Sequence, residues 1–451
     1  MLDIHLIREK PDVVRSNLSR RQDDQILEWF DELIQKDVEW RQLKSENDFL
    51  RSKRNTISQQ INQVKKEGKP VDDLLKEAKA LPEKIKQNDV RIAELETRNR
   101  WLLLRIPNLL DPAVPYGKDS SENVPAKTWG KPPKPSFEVI HHGELAKRLG
   151  VADFENAVSV AGSGFFYLLG DLALLDMALQ RLAIDMLIKK GFVLVQPPYL
   201  LKREAYETMV SLSDFEEVMY KIEGSDQYLI ATAEHPLGAR FLNHTFSEDD
   251  LPQKFAGVSA CFRKEIGKHG LDERGFFRVH QFNKVEQFVF CKPADSPVFF
   301  EAIRKNSEEL LEALEIPYRT VLICTGDMGV IASKKFDIEG WSPREGKYFE
   351  LMSCSNCGDY QAHRLNAKFL NAKTNEKEFV HTLNNTMIAT TRFLRCLIEN
   401  CQTKDGTIRV PKVLWKYMNN KKEISLPKAK AVKPVSRASK PFAGKKSIHK
   451  R

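Results

Sequence analysis

No stretch of this 451-residue chain is both long and free of charge. The most apolar segment, residues 165–188, carries Asp171, Asp176, Arg181 and Asp185, which a membrane-spanning helix could not bury cheaply. No membrane partner is therefore expected. The first residues hold Asp3, Glu9 and Asp12 and no apolar core, so neither a secretory signal nor an acid-poor transit peptide is expected. Cysteine is scarce, seven in all and an odd number, which suits a reducing compartment. A cytoplasmic location follows as the expectation. Two nucleotide-binding signatures are also missing. No G-x-x-x-x-G-K-[ST] occurs, because Gly340 and Gly346-Lys347 stand at the wrong gap. Gly162-Ser163-Gly164 lacks the third glycine of a dinucleotide fingerprint and reads as a helix-entry turn. Phosphate must be held by other means.

What is present is ordinary globular composition, 41% hydrophobic and 29% charged, which excludes disorder over the whole chain. At about 150 residues per domain the length suggests two or three units. The net charge of +9 is unevenly spread. From Lys412 to the end there are 13 Lys and Arg against Glu423 alone, which leaves 58 bases and 61 acids in the rest. The molecule is thus near neutral with a basic tail, so nucleic-acid binding must come from local patches.

Residues 24–106 read as two long helices broken at Gly68-Lys69-Pro70. In the second, Leu74, Leu81, Asn88, Leu95 and Leu102 keep a seven-residue repeat. Ala78, Ile85, Ile92, Asn99 and Ile106 keep another, four residues on. That is a coiled-coil seam with polar insertions. Pro82 predicts a kink or a helix start. An antiparallel hairpin of about 38 residues per arm would project about 55–60 Å. It reads either as a dimerisation or scaffold element or, through Arg51, Lys53, Arg54, Lys65, Lys66 and Lys69 toward its tip, as a phosphate grip.

Prolines 107, 112, 115, 125, 132, 133 and 135 mark a linker. Beyond it, a helix is expected over 170–190 and another over 387–401. Strands are expected near 192–195, 228–231, 260–264, 276–290 and 348–353. Hairpins without regular βαβ units suggest a mostly antiparallel sheet flanked by helices, an α+β fold. After Lys412, Ala, Lys, Pro and Ser dominate and predict disorder.

Residues 261–288 carry the strongest chemistry. Period-2 spacing sets Arg263 and Glu265 on one face of a strand, and Arg278, His280, Phe282, Lys284 and Glu286 on one face of a second. Phe277, Val279 and Val285 would supply the core face. Arginines, an aromatic ring and a carboxylate together suit a triphosphate, a stacked purine and a cationic amine. An exposed charged hairpin is the plainer alternative.

This segment resembles motif 2 of the class II aminoacyl-tRNA synthetases, and specifically of the seryl-tRNA synthetase family. Residues 191–200 look like motif 1, a dimer-interface helix ending in a strand. Thr232-Ala233-Glu234 looks like the serine-binding loop, and residues 350–356 look like the Glu-x-x-Ser stretch. Leu383-Asn384-Asn385-Thr386 and Ala389-Thr390-Thr391-Arg392 look like motif 3. The hairpin is similar to the family's tRNA-binding arm. The resemblance implies a tRNA-binding domain over 1–110, a linker over 111–135, a class II catalytic domain over 136–420 and a tail over 421–451.

It also implies roles. Arg263 and Arg392 would be catalytic. ATP would meet Arg263, Lys264, Glu265, Arg278, Val279, His280, Gln281, Phe282, Glu350, Leu351, Met352, Ser353 and Arg392. Arg263 would take the α-phosphate, Glu265 the adenine amino group, Phe282 the adenine face, and Arg278 and Arg392 the γ-phosphate. Glu350 and Ser353 would hold Mg²⁺. Serine would meet Thr232, Ala233, Glu234, Arg263, Glu286, Asn384, Asn385 and Thr386. The implied partners are L-serine, tRNA(Ser) through its long variable arm, tRNA(Sec) where present, and a second copy in a homodimer.

Two departures stand out. Residues 386–391 replace the glycine-rich bacterial form of motif 3, as in eukaryotic cytosolic members, so that type is expected. The family's Gln-Ala-Arg-Arg reads Gln361-Ala362-His363-Arg364. Cys354-x-x-Cys357 has no second pair, so no structural zinc is expected. A threonyl or prolyl ligase would lack the serine loop and the arm. A catalytically dead RNA-binding relative would not keep Arg263, Glu265, Glu286, Glu350 and Arg392.

Overall fold

The computed structural model describes residues 1–210, 216–265 and 275–426. Residues 266–274 of the motif 2 segment, and the tail from 427 on, lie outside the described residues.

Two short helices unforeseen from periodicity, α1 (Ile4–Glu9) and α2 (Pro11–Ser19), precede the arm. The arm itself is α3 (Asp24–Lys66) and α4 (Asp72–Arg105). At 1.5 Å per residue α3 is about 65 Å long. Pro82 lies inside α4, which begins ten residues earlier at Asp72, so it does not start the helix. The seam residues Leu81, Ile85, Ile92, Leu95 and Leu102 are buried, as are Phe30, Leu33, Leu50, Ile57 and Ile61 opposite. The polar insertions are reciprocal. Asn88 donates to Glu46 at 3.1 Å and Asn47 to Asp89 at 2.8 Å. Buried amides of this kind fix register. Ion pairs repeat that register every seven residues: Arg98 with Glu32 at 2.6 Å, Arg91 with Glu39 at 2.7 Å, Lys84 with Glu46 at 2.7 Å.

The arm root is fastened to the rest of the chain. The buried Arg21 donates to the carbonyls of Met328 at 3.0 Å, Gly329 at 3.2 Å and Asn108 at 2.8 Å. Leu102 and Ile106 share a core with Tyr360.

The catalytic half is an eight-stranded sheet. Its strands are β1 (Val124–Trp129), β2 (Val193–Val195), β3 (Gln253–Phe262), β4 (Gln281–Cys291), β5 (Tyr318–Leu322), β6 (Lys334–Ser342), β7 (Lys347–Gly358) and β8 (His381–Ala389), in the order β1-β5-β6-β7-β8-β4-β3-β2. All neighbours are antiparallel except β2 and β3. Helices α6 (Gly170–Lys189), α8 (Ser296–Ala313) and α10 (Thr390–Cys401) cover one face through Leu179, Phe300, Ile303 and Leu397 against Val285, Val289, Met352 and Ile388. Helices α5 (His142–Arg148), α7 (Glu234–Ala239) and α9 (Tyr360–Leu365) complete the set used below.

Four boundaries differ from expectation. The supposed linker contains β1, which pairs with β5 and stacks Trp129 on Tyr318 at 5.9 Å. Pro125 is tolerated because β1 is an edge strand with a register shift beside it. Residues 387–389 extend β8, so the helix starts only at Thr390. β3 ends at Phe262 and β4 starts at Gln281, so Arg263, Lys264, Glu265, Arg278, Val279 and His280 belong to no strand. The folded part passes residue 420: Glu423–Ile424 pairs with Ile408–Arg409 and buries Ile424.

Candidate active site

Strand parity builds the floor. Phe282, Lys284 and Glu286 share the face of β4 away from the three covering helices. Lys284 and Glu286 form a buried ion pair. Opposite Glu286 on β3 is Gly257; a Cβ there would come 2.7 Å from Leu237 and 2.8 Å from Ala233. Gly257 therefore lets α7 lie close on the sheet and brings Glu234 to the same site. The Glu234 amide donates to Thr232 Oγ1 at 3.2 Å, and its carboxylate accepts from Gln361 at 3.0 Å. Burial, reinforced by the charge of Glu286, pushes the Glu234 carboxyl up to about 7. Glu286 is also raised by burial, against the pull of Lys284. From β8, Thr386 lies opposite Glu286 and donates to it at 3.5 Å, and Asn384 reaches Cys357 Sγ at 3.8 Å.

Asn385 does not join them. Its amide donates to Ile303 O at 2.6 Å and Ser307 Oγ at 2.8 Å, on the helix-covered face. Successive strand residues point to opposite faces, so Asn384 and Asn385 cannot both line one pocket. Ala233 likewise gives its side chain to the core.

Arg263 stands at the open end. Its guanidinium lies 5.3 Å from the Phe282 ring and donates to Ala231 O at 3.3 Å. Arg278 pairs with Glu265 at 3.2 Å. Gln281 is exposed beside them. Lys264 extends instead toward Tyr220, 5.7 Å from its ring. His280 Nδ1 lies 2.8 Å from Tyr220 Oη and 2.9 Å from Arg263 O, and its ring stacks on Phe165. Gly164 is there for this ring rather than for a helix entry, since a Cβ would meet His280 Cδ2 at 2.4 Å. Val279, Leu351 and Met352 have buried side chains, and those of Leu351 and Met352 belong to the core under the covering helices.

Glu350 and Ser353 are three apart, a spacing that sends side chains to opposite faces of a regular strand. The register shifts between Ile338 and Glu339: Glu339 pairs with Glu350 and Ile338 with Met352. Leu351 is thus an extra, bulged residue, and the bulge returns both polar side chains to the open face. Arg392 from α10 contacts both the Glu350 carboxylate and carbonyl at 3.1 Å. Burial would raise the Glu350 carboxyl, but Arg392, Lys335 and Arg263 outweigh it and hold it below the usual range. An ionised carboxylate and a hydroxyl on one face, with few other oxygen ligands, fit a divalent ion that keeps its waters and binds substrate phosphates. Opposite Ser353, the buried Asp337 is pushed up to about 6 by burial, with the Lys335 ammonium at 3.1 Å. The two thiols diverge: Cys354 faces Phe300 O, Cys357 faces Asn384.

Behind these groups, a buried network holds the motifs together. His142 Nε2 accepts from the Phe276 amide at 3.2 Å and its Nδ1 lies 3.3 Å from Glu399 of α10. Phe277 then sits 5.6 Å from Arg392 and 4.3 Å from Arg395. Sequence spacing did not reveal His142 or Asp337 as site residues; it did set Lys284 on the site face of the second strand, without a role. On the arm, Arg51 is paired with Asp89 at 2.9 Å, Lys69 with Glu67 at 2.8 Å, and Lys53 with Glu77. Arg54, Lys65 and Lys66 are exposed and form no ion pair among the described residues.

A mostly antiparallel sheet with an arginine at its open end, an aromatic ring and a carboxylate cluster on one face, and a further arginine at the head of the last covering helix, has the arrangement of the class II aminoacyl-tRNA synthetase core. The family model "tRNA synthetase class II core domain (G, H, P, S and T)" matches residues 218–401, and "Seryl-tRNA synthetase N-terminal domain" matches 1–110. The chain is 52% identical to the serine–tRNA ligase of Methanocella arvoryzae over 93% of this chain and 99% of that one. The crystal structure of seryl-tRNA synthetase from Pyrococcus horikoshii complexed with ATP superposes with a TM-score of 0.90 at 45% identity, covering 95% of this chain and 100% of that one. The cytoplasmic serine–tRNA ligase of Naegleria fowleri in complex with AMP gives 0.84 at 35% identity, covering 94% and 99%. The chain belongs to the seryl-tRNA synthetase family, the serine–tRNA ligases. The archaeal matches give the expected eukaryotic cytosolic type no support. Among the described residues, no helix is long and apolar enough to cross a membrane.

Proposed function

We propose that the site condenses L-serine with ATP to seryl-adenylate and then passes the seryl group to tRNA(Ser), with tRNA(Sec) as a second acceptor where it exists. One observation carries this: Arg263, Phe282, Glu286 and the Glu350–Arg392 pair open on one side of a single sheet, beside the Glu234 carboxylate. In the first step a serine carboxylate oxygen attacks the α-phosphorus, and the bond to the β-phosphate breaks as pyrophosphate leaves. Phe282 offers a face for adenine, and Arg263 neutralises charge building on the α-phosphate. Glu265 is available to the adenine amino group once Arg278 turns to the phosphates. Glu234 and Glu286 bind the serine ammonium, with Thr232, Asn384 and Thr386 around the hydroxyl. Arg392 exchanges its Glu350 contact for the γ-phosphate end. Glu350 and Ser353 would hold Mg²⁺, which supplies further charge neutralisation when bound. In the second step a ribose hydroxyl of the terminal adenosine attacks the seryl carbonyl and AMP leaves. The Pyrococcus structure complexed with ATP and the Naegleria structure in complex with AMP support the nucleotide half.

Homodimerisation is part of the proposal. Met177 and Ile188 of α6 and Val193 and Leu194 of the edge strand β2 are exposed apolar side chains, which supports an apolar contact at this edge. Sedimentation should show a dimer that Ile188→Glu weakens. The cell compartment proposed is the cytoplasm. Amino-acid-dependent ATP–pyrophosphate exchange across all twenty amino acids tests the core reading: serine alone should support exchange, and a better substrate would overturn it.

A further inference from the structure

Helix α9 bonds two places, the arm root and the pocket. Tyr360 and Arg364, one helical turn apart and so on one side of it, face the arm root. Tyr360 Oη donates to Ile106 O at 2.7 Å, Arg364 donates to Leu104 O at 2.7 Å, and the two side chains meet at 3.0 Å. These carbonyls end α4, where an α-helix leaves its last acceptors without partners. The neighbouring Gln361 faces the pocket. Its amide is fully buried and both ends are committed: Nε2 donates to Glu234 at 3.0 Å, and Oε1 accepts from Thr382 at 2.6 Å. Gln361 thus supplies the side-chain hydrogen bond that orients the less compensated of the two pocket carboxylates.

We infer that α9 is a positioning strut: Gln361 sets Glu234 for the amino-acid ammonium, and Tyr360 with Arg364 references that setting to the root of the arm. The inference rests on the serine reading of the pocket. It makes the amino-acid site, and not the nucleotide site, sensitive to how the arm is seated. Tyr360 and Arg364 bond the arm root, and Arg364 also the Glu207 carbonyl at 3.5 Å, so Tyr360 is the cleaner probe of the path through α9.

Steady-state pyrophosphate exchange with the full-length wild type, Gln361→Leu, Tyr360→Phe and Arg364→Met separates the cases. Wild-type exchange with serine tests the pocket reading by itself. Given that, Gln361→Leu should raise the serine KM at least tenfold and leave the ATP KM within twofold. Tyr360→Phe, which loses only one hydroxyl, and Arg364→Met should each raise the serine KM about threefold or more with the same selectivity. Unchanged serine KM in a folded Tyr360→Phe overturns the strut, even where Arg364→Met fails to fold. Equal rises in both KM values overturn it too, because general loosening would not choose between substrates.

Discussion

Lys284 decides how Glu234 and Glu286 differ. Its ammonium pairs directly with Glu286 and reaches Glu234 only through space, so Glu234 holds its proton up to about 7. Serine's ammonium needs the ionised form. Serine KM should therefore rise as pH falls below 7, by about tenfold per unit at the acid end, and Glu234→Gln should flatten that profile while raising KM about ten- to a hundredfold at pH 8. Exchange kinetics across pH check both. The stability of the ligand-free protein has the opposite dependence. Folded Glu234 keeps a proton that the unfolded chain releases near 4.5, so its contribution is lost as pH rises from 4.5 to about 7. Glu286→Gln strands Lys284 as a buried cation and should cost about 3–5 kcal/mol in chemical denaturation. Arg392→Ala should lower exchange by about a hundredfold or more without loss of fold; near-normal exchange would show that another group meets the phosphates. At this scale the alternation along β4 placed Phe282 and Glu286 on one face as the structure has them, and Arg392, on α10, was legible from the motif 3 resemblance and not from parity. The sequence misled at Asn385, where a polar residue next to Asn384 serves the reverse face.

The bulge at Leu351 belongs to the strand as a whole. Adjacent Leu351 and Met352 between Glu350 and Ser353 break the alternation, and that break was a readable sign of an extra residue, though not of where the register shifts. Deleting Leu351 would restore regular pairing and set Glu350 and Ser353 two apart, still on the open face, with Met352 alone between them on the helix-covered side. The loss is then the buried Leu351 side chain, about 2–5 kcal/mol read from the urea midpoint, and exchange should survive because Glu350 and Ser353 keep their face. Other element boundaries were hidden for physical reasons. Proline masks β1 because an edge strand can forgo a ladder hydrogen bond. Residues 387–389 look helical because their apolar run suits a buried strand equally well.

For the whole molecule, the register of the arm defines where it can be cut. Glu46 faces Lys84 and Lys53 faces Glu77, so residues 48–82 form a matched tip. Replacing them with a short turn should leave serine-dependent exchange intact and abolish efficient tRNA charging; normal charging would remove the arm from recognition. The C-terminus divides in the same way. Truncation after Asn420 removes Ile424 and should cost about 1.5–3 kcal/mol. Truncation after Leu426 should spare the fold, raise the tRNA KM modestly and give a shallower salt slope, read from charging at several salt concentrations. The heptads announced the hairpin, but nothing in them showed what the root rests on, because Arg21 and Tyr360 are far apart in the chain. That root is a pivot, and the arm is its pointer. With α3 about 65 Å long, half a degree of rotation at the pivot sweeps the tip by about 0.6 Å. The span of an ordinary N–H···O bond, roughly 2.7 to 3.2 Å, is no wider than that. The aim of the tip is therefore set by a handful of carbonyls near Leu104, Ile106, Asn108 and Met328, at the opposite end of the lever.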